Sequence, residues 1–143
     1  MFRIVQSGAF LYDENMVRYA FKQIVKGVHF QHIKCRRAHL DIKFENIVLS
    51  DEIIPMLADF GFSELVDTLL TEWRGTDYYF SPEMHDLRKR AEGHRIPMPE
   101  VKASAQDMYA LGVILFTLFF GVHPYMHTQH PKDVLKSEDD YKK

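Results

Sequence analysis

Cysteine and net charge are both scarce in this sequence of 143 residues. A single cysteine, Cys35, excludes an intramolecular disulfide framework and fits a reducing compartment. A formal net charge of −2 argues against a nucleic-acid binder, because such proteins usually carry a clear basic excess. The chain also lacks low-complexity runs and internal repeats, and 46% of its residues are hydrophobic, which excludes a disordered tail. The apolar residues that are present suffice for one globular core.

Long hydrophobic runs are missing as well. Residues 1–7 have no apolar core of the kind that a signal peptide requires. The most apolar stretch, residues 108–122, contains 15 residues, whereas a membrane-spanning helix needs about 20. We therefore predict that this stretch is a buried helix of a globular domain and that the protein contacts no membrane. A cytoplasmic location follows, with the nucleus as the alternative.

The hydrophobic pattern predicts one long helix and one pair of strands. Asp13 can cap the start of the helix, and apolar residues follow at three- and four-residue spacing until about His32. Residues 47–49 and 53–57 are β-branched and apolar, which predicts two short strands joined by a turn. The apolar positions of the helix are Val17, Ala20, Phe21, Ile24, Val25 and Val28.

Two later segments show no such regularity. Residues 59–82 have no sustained period, so we expect a long loop, and long loops inside compact domains are usually functional or disordered. Residues 84–104 are rich in charge and are interrupted by Gly93, Pro97 and Pro99, which predicts a solvated insertion.

Three short motifs carry the chemical information. Residues 39–46 read His-Leu-Asp-Ile-Lys-Phe-Glu-Asn, and residues 59–61 read Asp-Phe-Gly on the other side of the predicted strand pair. Residues 75–83 read Gly-Thr-Asp-Tyr-Tyr-Phe-Ser-Pro-Glu and close the long loop. Asp107 then precedes the apolar helix, which contains Leu-Gly-Val at residues 111–113. Each motif alone is a weak signal, but their combination in this order is specific.

With these motifs the sequence resembles the eukaryotic protein kinase family, specifically its large C-terminal lobe. The resemblance implies an α+β fold that is mainly α-helical, with short strands around the catalytic loop and with the small N-terminal lobe absent. Residues 1–143 would form a partial kinase domain. Its implied parts are a catalytic loop (39–46), an activation segment (59–83), an insertion (84–104) and a central helix (105–121).

The resemblance implies a protein serine/threonine kinase that uses ATP and Mg²⁺. Asp41 would accept or orient the hydroxyl proton of a Ser/Thr acceptor, Lys43 would neutralise the moving phosphoryl group, and Thr76 would brace both. A lysine two positions after the aspartate is the arrangement of serine/threonine kinases. Cofactor contacts would come from Lys43, Glu45, Asn46, Val48 and Asp59, of which Asn46 and Asp59 offer oxygen ligands for Mg²⁺.

Three further residues would act structurally under the same resemblance. His39 and Phe60 would pack beneath the site. Asp107 would accept backbone hydrogen bonds from the catalytic loop, which would satisfy its buried charge.

The sequence departs from the family pattern around the activation segment. Leu40 replaces an arginine that in many members pairs with a phosphorylated residue, and the usual position of that residue is Glu72 here. Glu64 occupies a place where some members carry a basic partner. We therefore predict that activity does not depend on phosphorylation at that position, and Thr68 and Thr71 remain as other acceptors.

The expected partner is a protein substrate. Glu45 matches a carboxylate that basophilic members use to bind an arginine upstream of the acceptor, whereas Thr117 stands where a second such carboxylate would be. A modest preference for basic residues upstream of the acceptor follows. No nucleic-acid partner is expected, and the sequence carries no signal of oligomeric state.

Several parts of the family pattern fall outside the match. The sequence has no Gly-rich phosphate-covering loop, no strand lysine that pairs with the nucleotide phosphates, and no helix glutamate to hold that lysine. The arginine that usually pairs with the Glu83 position is also missing, which would destabilise a buried Glu83. We expect the chain, truncated at both ends relative to the family, to bind ATP poorly and to have little activity in isolation.

Three alternatives remain open at this point. A non-catalytic kinase-like module would act by binding proteins, and a lipid or small-molecule kinase fits less well with residues 75–83, which would shape a peptide-binding floor. A zinc site would use two clusters of potential ligands, but no Cys-x-x-Cys pair supports it. These clusters are His29, His32 and Cys35, and His123, His127 and His130.

Overall fold

A computed structural model of the protein describes residues 13–125. In that range three α-helices form, namely α1 (Glu14–Ile33), α2 (Pro82–Ala91) and α3 (Ala103–Phe120). The strands are β1 (Arg37–Ala38), β2 (Ile47–Leu49), β3 (Pro55–Leu57), β4 (Glu64–Leu65), β5 (Leu69–Leu70) and β6 (Val101–Lys102). They pair antiparallel as β1–β4, β2–β3 and β5–β6, and short 3₁₀ helices span Phe44–Asn46 and Asp77–Tyr79. This is the mainly helical α+β fold that the sequence predicts.

Helix α1 confirms the predicted first helix. The side chain of Asp13 accepts hydrogen bonds from the backbone N–H groups of Asn15 (3.0 Å) and Met16 (3.1 Å), which would otherwise lack partners at the helix start. The helix ends at Ile33, one residue beyond His32.

The main hydrophobic core lies between α1, α3 and the segment that carries residues 39–46. Ile42, Phe44 and Ile47 project into this core from the segment, so burial of their side chains fixes the backbone around Asp41. The remaining core residues come from the two helices. They are Val17, Ala20, Ile24, Val28, Ala110, Leu111, Ile114 and Leu118.

A second apolar cluster corrects the prediction for residues 84–104. Ser81 caps α2 by accepting a hydrogen bond from the N–H of Met84 at 3.2 Å, and Met84 and Leu87 are buried on one face of that helix. The expected solvated insertion is therefore wrong at both ends of the segment, and residues 90–95 between them are exposed. The other members of the cluster are Ala38, Leu40, Leu70, Phe80, Val101 and Ala103.

Residues 59–82 are more ordered than the expected loop. Strand β4 pairs with β1 and strand β5 pairs with β6, so both ribbons tie this segment to distant parts of the chain. Asp67, between these strands, forms ion pairs with Arg36 (2.6 Å) and Lys102 (2.9 Å). The hydrogen bond from Lys102 holds the pKa of Asp67 below its ordinary value.

The composition of helix α3 suggested a helix that is buried on all sides, but only half of it is buried. Of the helices within residues 13–125, it is the one whose length and mean hydropathy of 1.4 would suit a membrane span. It packs against α1 and carries the buried polar residues Gln106 and Asp107, which fits the core helix of a globular domain. Met108, Phe119 and Phe120 lie on its exposed side.

Candidate active site

Asp41, Lys43 and Thr76 meet in a closed ring of hydrogen bonds. The hydroxyl of Thr76 donates to Asp41 Oδ1 at 2.7 Å and accepts from Lys43 Nζ at 2.8 Å. Lys43 Nζ also lies 2.9 Å from Asp41 Oδ2. The carboxylate of Asp41 is buried, so this ring compensates a charge that would otherwise be costly.

Asn46 closes the site from the other side. The 3₁₀ helix Phe44–Asn46 turns the chain back, and Asn46 Nδ2 donates to both Asp41 Oδ2 and the Asp41 carbonyl at 2.9 Å. Both hydrogen bonds use the amide nitrogen. Within residues 13–125 the amide oxygen Oδ1 accepts no hydrogen bond, which leaves it available to a cation.

Asp107 supports the site from below. Its fully buried carboxylate accepts hydrogen bonds at 2.7 Å from the backbone N–H groups of His39 and Leu40, as the resemblance implied. His32 Nε2, from the end of α1, donates to Asp107 Oδ2 at 2.7 Å. Sequence reasoning missed this third partner, because nothing in the pattern of α1 relates His32 to a residue on α3.

His39 links the loop to the Asp-Phe-Gly motif. Its Nε2 donates to the carbonyl of Ala58 at 3.0 Å, and its Nδ1 accepts from the N–H of Asp41 at 3.3 Å. The ring centroids of His39 and Phe60 lie 4.9 Å apart. His39 is fully buried, whereas about half of Phe60 is exposed among the described residues.

Leu40 occupies a strained position beneath the activation segment. Its φ of +69° is unfavourable for a residue with a side chain, and the hydrogen bond to Asp107 helps to hold it there. Its side chain is buried in the apolar cluster with Leu70 and Phe80. Glu64 lies 3.6 Å from Arg74. Two of the departures from the family pattern, the apolar Leu40 and the acidic Glu64, therefore have suitable neighbours in the structure.

Gly75 allows the activation segment to approach the loop. Its φ is +101°, and a Cβ atom at this position would lie 2.3 Å from the carbonyl oxygen of Leu40. Real Cβ atoms do not come so close to backbone, so any other residue must push the two segments apart. Thr76 follows directly and depends on this approach for its contacts with Asp41 and Lys43.

The variant Gly75→Ala is therefore expected to lower the free energy of unfolding by about 2–3 kcal/mol, through backbone strain and the displacement of Leu40. Urea unfolding measures this change as a shift of the midpoint. Gly93→Ala is the matched control, because Gly93 also has a positive φ of +92° but has nothing within 4 Å of the added Cβ. If both variants lose equal stability, the close approach contributes nothing.

Glu45, Val48 and Asp59 lie at the exposed rim of this arrangement. Within residues 13–125 no hydrogen bond or ion pair joins them to Asp41, Lys43 or Thr76. Asp59 is brought near Asn46 by the chain, because the N–H of Ala58 donates to the Asn46 carbonyl at 2.8 Å.

Two residues near the site were missed by sequence reasoning. Burial raises the pKa of Tyr79 to about 12, and the negative charge of Glu45 adds to the effect, so the phenol stays neutral at neutral pH. Gln106 accepts from the N–H of Ser81 at 2.9 Å and donates to the Tyr79 carbonyl at 2.8 Å. The one feature of the sequence that could have indicated a role for Gln106 is its place next to Asp107 at the start of α3.

Two conditional interpretations of the sequence, a buried Glu83 and a zinc site, can be compared with the structure. Glu83 is exposed, so the lack of its usual arginine leaves no buried charge without a partner. Within the described residues no group of three or more His, Cys, Asp or Glu side chains could hold a metal ion, which argues against the zinc alternative. His127 and His130 lie outside the described residues.

Sequence comparison agrees with this geometry. The family described as "Protein kinase domain" matches residues 1–143. The chain belongs to the protein kinase domain family. The hydrogen-bonded ring around Asp41 is thus a part of the kinase fold in which the family's sequence motifs converge.

Three similar curated proteins are named as serine/threonine-protein kinases or as an SNF1-like kinase. The chain is 38% identical over 120 residues to "NUAK family SNF1-like kinase 1" of Mus musculus, covering 82% of this chain and 16% of that protein. It is 38% identical over 115 residues to "Serine/threonine-protein kinase SIK3 homolog" of Danio rerio, covering 78% of this chain and 9% of that one. It is 30% identical over 139 residues to "Serine/threonine-protein kinase SRK2B" of Arabidopsis thaliana, covering 94% and 35%. The chain therefore spans about a third or less of each relative.

Proposed function

We propose that this chain is the catalytic segment of a protein serine/threonine kinase, which transfers the γ-phosphoryl group of ATP to a Ser or Thr hydroxyl. The observation that carries the proposal is the ring of Asp41, Lys43 and Thr76. In this ring a buried carboxylate, a primary amine and a hydroxyl lie within 2.9 Å of one another. They provide a proton acceptor and a cation at one place. Phosphoryl transfer needs little more from a protein than such positioning and charge neutralisation.

Each residue of the ring has a distinct task in the proposed reaction. Asp41 orients the acceptor hydroxyl and takes its proton. Lys43 donates a hydrogen bond to the phosphoryl oxygens, and its charge offsets theirs. Thr76 holds both side chains at fixed distance, so that neither must reorganise when the substrate arrives.

The donor set also fits a magnesium ion held together with nucleotide phosphates. The free Oδ1 of Asn46 and the exposed carboxylate of Asp59 are hard oxygen ligands. Mg²⁺ usually takes only one or two such protein ligands and fills its shell with phosphate and water. Bound there, it would neutralise charge on the phosphates. Val48 would offer an apolar contact to the base of the nucleotide. Lys43 and Glu45 would also contact the nucleotide, Lys43 at its phosphates.

The direct test is phosphotransfer by the longest natural product that carries this chain. Labelled ATP and a peptide library that contains Ser, Thr and Tyr acceptors are supplied with and without Mg²⁺, and the phosphorylated residue is identified. We expect Mg²⁺-dependent label on Ser and Thr alone. Asp59→Asn should raise the Mg²⁺ concentration required, whereas Asp51→Asn, an exposed carboxylate in the turn after β2, should not.

Two outcomes would contradict the proposal. Label on tyrosine would overturn the assignment of the acceptor. Absence of label from the intact product would favour a non-catalytic kinase-like module that binds proteins. The same library reports substrate preference, and we propose that exposed Glu45 favours basic residues upstream of the acceptor.

A further inference from the structure

His123, shortly after the end of α3, lies at the centre of an aromatic cluster. Its ring centroid lies 5.5 Å from that of Tyr78 and 5.7 Å from those of Tyr79 and Tyr125. All three rings meet it edge-on, with angles between the ring planes of 62° to 85°. Because two of the tyrosines belong to the 3₁₀ helix Asp77–Tyr79, the cluster links the end of α3 to the activation segment.

The three residues of this 3₁₀ helix are held by different neighbours. Asp77 forms an ion pair with an arginine of α2, and the carbonyl of Tyr79 accepts a hydrogen bond at 2.8 Å from a glutamine of α3. The side chain of Tyr78 is 65% exposed, and among residues 13–125 its one contact with another ring is to His123. His123 is therefore the aromatic neighbour that fixes the middle of the 3₁₀ helix.

These contacts require a neutral imidazole. The Nδ1 atom of His123 accepts a hydrogen bond from the N–H of Tyr125 at 3.2 Å, so it carries no proton in the neutral ring. A second proton, added at Nδ1, would face that N–H and replace the hydrogen bond by a repulsion. Nε2 is buried and forms no hydrogen bond of good geometry within residues 13–125, although the main chain of Tyr78 lies close enough to favour a proton on the ring. Burial lowers the pKa of His123 below its ordinary value.

The other titratable groups that face His123 are the phenols of Tyr78, Tyr79 and Tyr125. Phenols carry no charge between about pH 5 and 8, and burial raises the pKa of Tyr79 to about 12. In the described part of the chain no charged side chain pairs with His123, and the charge of Glu45 acts on Tyr79 instead. Within this cluster the imidazole is thus the group that can change its charge in that pH range.

We propose that His123 is a positioning residue for the peptide substrate, which in its neutral form holds the 3₁₀ helix Asp77–Tyr79 in place and releases it when protonated. This inference rests on the proposed function, in which residues 75–83 form the floor that receives the acceptor peptide. Thr76, which precedes the helix, keeps its own hydrogen bonds within the ring around Asp41. Release of the helix should therefore weaken peptide binding and leave the ATP site intact.

Hydrogen exchange tests this role without phosphotransfer, on the longest natural product that carries the chain. The amides of Tyr79 and Phe80 donate hydrogen bonds within the 3₁₀ turn, so their protection factors report its opening. They are measured at pH 7.5 and pH 5.5, on either side of the ordinary pKa of histidine, about 6.5. In the wild type we expect protection to fall about fivefold at the lower pH, because protonation of His123 becomes favourable once the helix is released.

Three variants separate protonation from packing. His123→Phe keeps an aromatic ring but cannot take up a proton, so its protection factors should be equal at the two pH values. His123→Ala should have low protection at both, and His29→Ala, which removes an exposed histidine of α1, is the control that should behave as wild type. If His123→Phe shows the same fall as the wild type, or if His123→Ala keeps wild-type protection at pH 7.5, the inference is wrong. His123→Phe keeps the test usable if His123→Ala fails to fold.

Kinetics relate this opening to the substrate. At pH 7.5 His123→Ala is expected to raise KM for the peptide about five- to tenfold, while KM for ATP stays within about twofold of wild type. An unchanged KM for the peptide would contradict the positioning role. Absence of phosphotransfer from the wild type would instead contradict the proposed function, and the exchange result would still decide whether His123 holds the helix.

Discussion

Replacing Asp41 with asparagine is expected to lower the rate of phosphotransfer by about 10²–10⁴-fold, the range typical of lost general acid–base catalysis. Asparagine has nearly the same shape, but its amide cannot take the proton of the acceptor hydroxyl. Its amide oxygen can still accept from Lys43 Nζ and Asn46 Nδ2, the two donors that now meet Asp41 Oδ2. The proton acceptor is therefore lost while the other members of the ring stay in place.

The kinetic constants separate this effect from a loss of nucleotide binding. Because Asp41 would act on the acceptor hydroxyl, kcat should fall while KM for ATP changes by no more than about twofold. Asp51→Asn, which removes a carboxylate of the same type at an exposed turn, should keep wild-type constants. If Asp41→Asn and Asp51→Asn have the same kcat, Asp41 takes no part in the reaction, even if the protein transfers phosphate.

The sequence predicted those features that depend on local pattern or on family motifs. Helix α1 follows from the spacing of Val17 to Val28 and from the cap at Asp13, both of which act within a few residues. The strand pair β2–β3 follows in the same way, although β3 begins at Pro55 because Ile53 takes a left-handed turn conformation with φ +62°. The contacts of Thr76 and Asp107 were implied by the resemblance, since the motifs fix them.

The features that sequence reasoning missed depend on contacts between distant residues. Strands β4, β5 and β6 are two residues long, too short to produce a period, and they exist because each has a partner far along the chain. Helix α2 is charged enough to suggest solvent, yet Met84, His85 and Leu87 are buried on it. The contact between His32 and Asp107 likewise arises only when the end of α1 meets α3.

Asp107 provides the second large expected effect, this time on stability. Asp107→Ala should lower the free energy of unfolding by about 3–5 kcal/mol, because the backbone N–H groups of His39 and Leu40 and the ring of His32 lose their shared acceptor. Asp107→Asn keeps one acceptor oxygen and should cost less, about 1–3 kcal/mol. Urea unfolding ranks the two variants against Asp51→Ala, which should stay within about 0.5 kcal/mol of wild type.

Hydrogen exchange can locate the damage in Asp107→Asn. Leu40 holds a positive φ that its own side chain disfavours, and one of the restraints on it is the hydrogen bond to Asp107. Weakening that restraint should accelerate exchange at the amides of His39 and Leu40 more than at Ile24 in the core of α1. Equal acceleration at all three would mean that Asp107 stabilises the domain as a whole. Selective acceleration at His39 and Leu40 would mean that the buried carboxylate of Asp107 holds the loop that presents Asp41, since only that loop would respond to its loss.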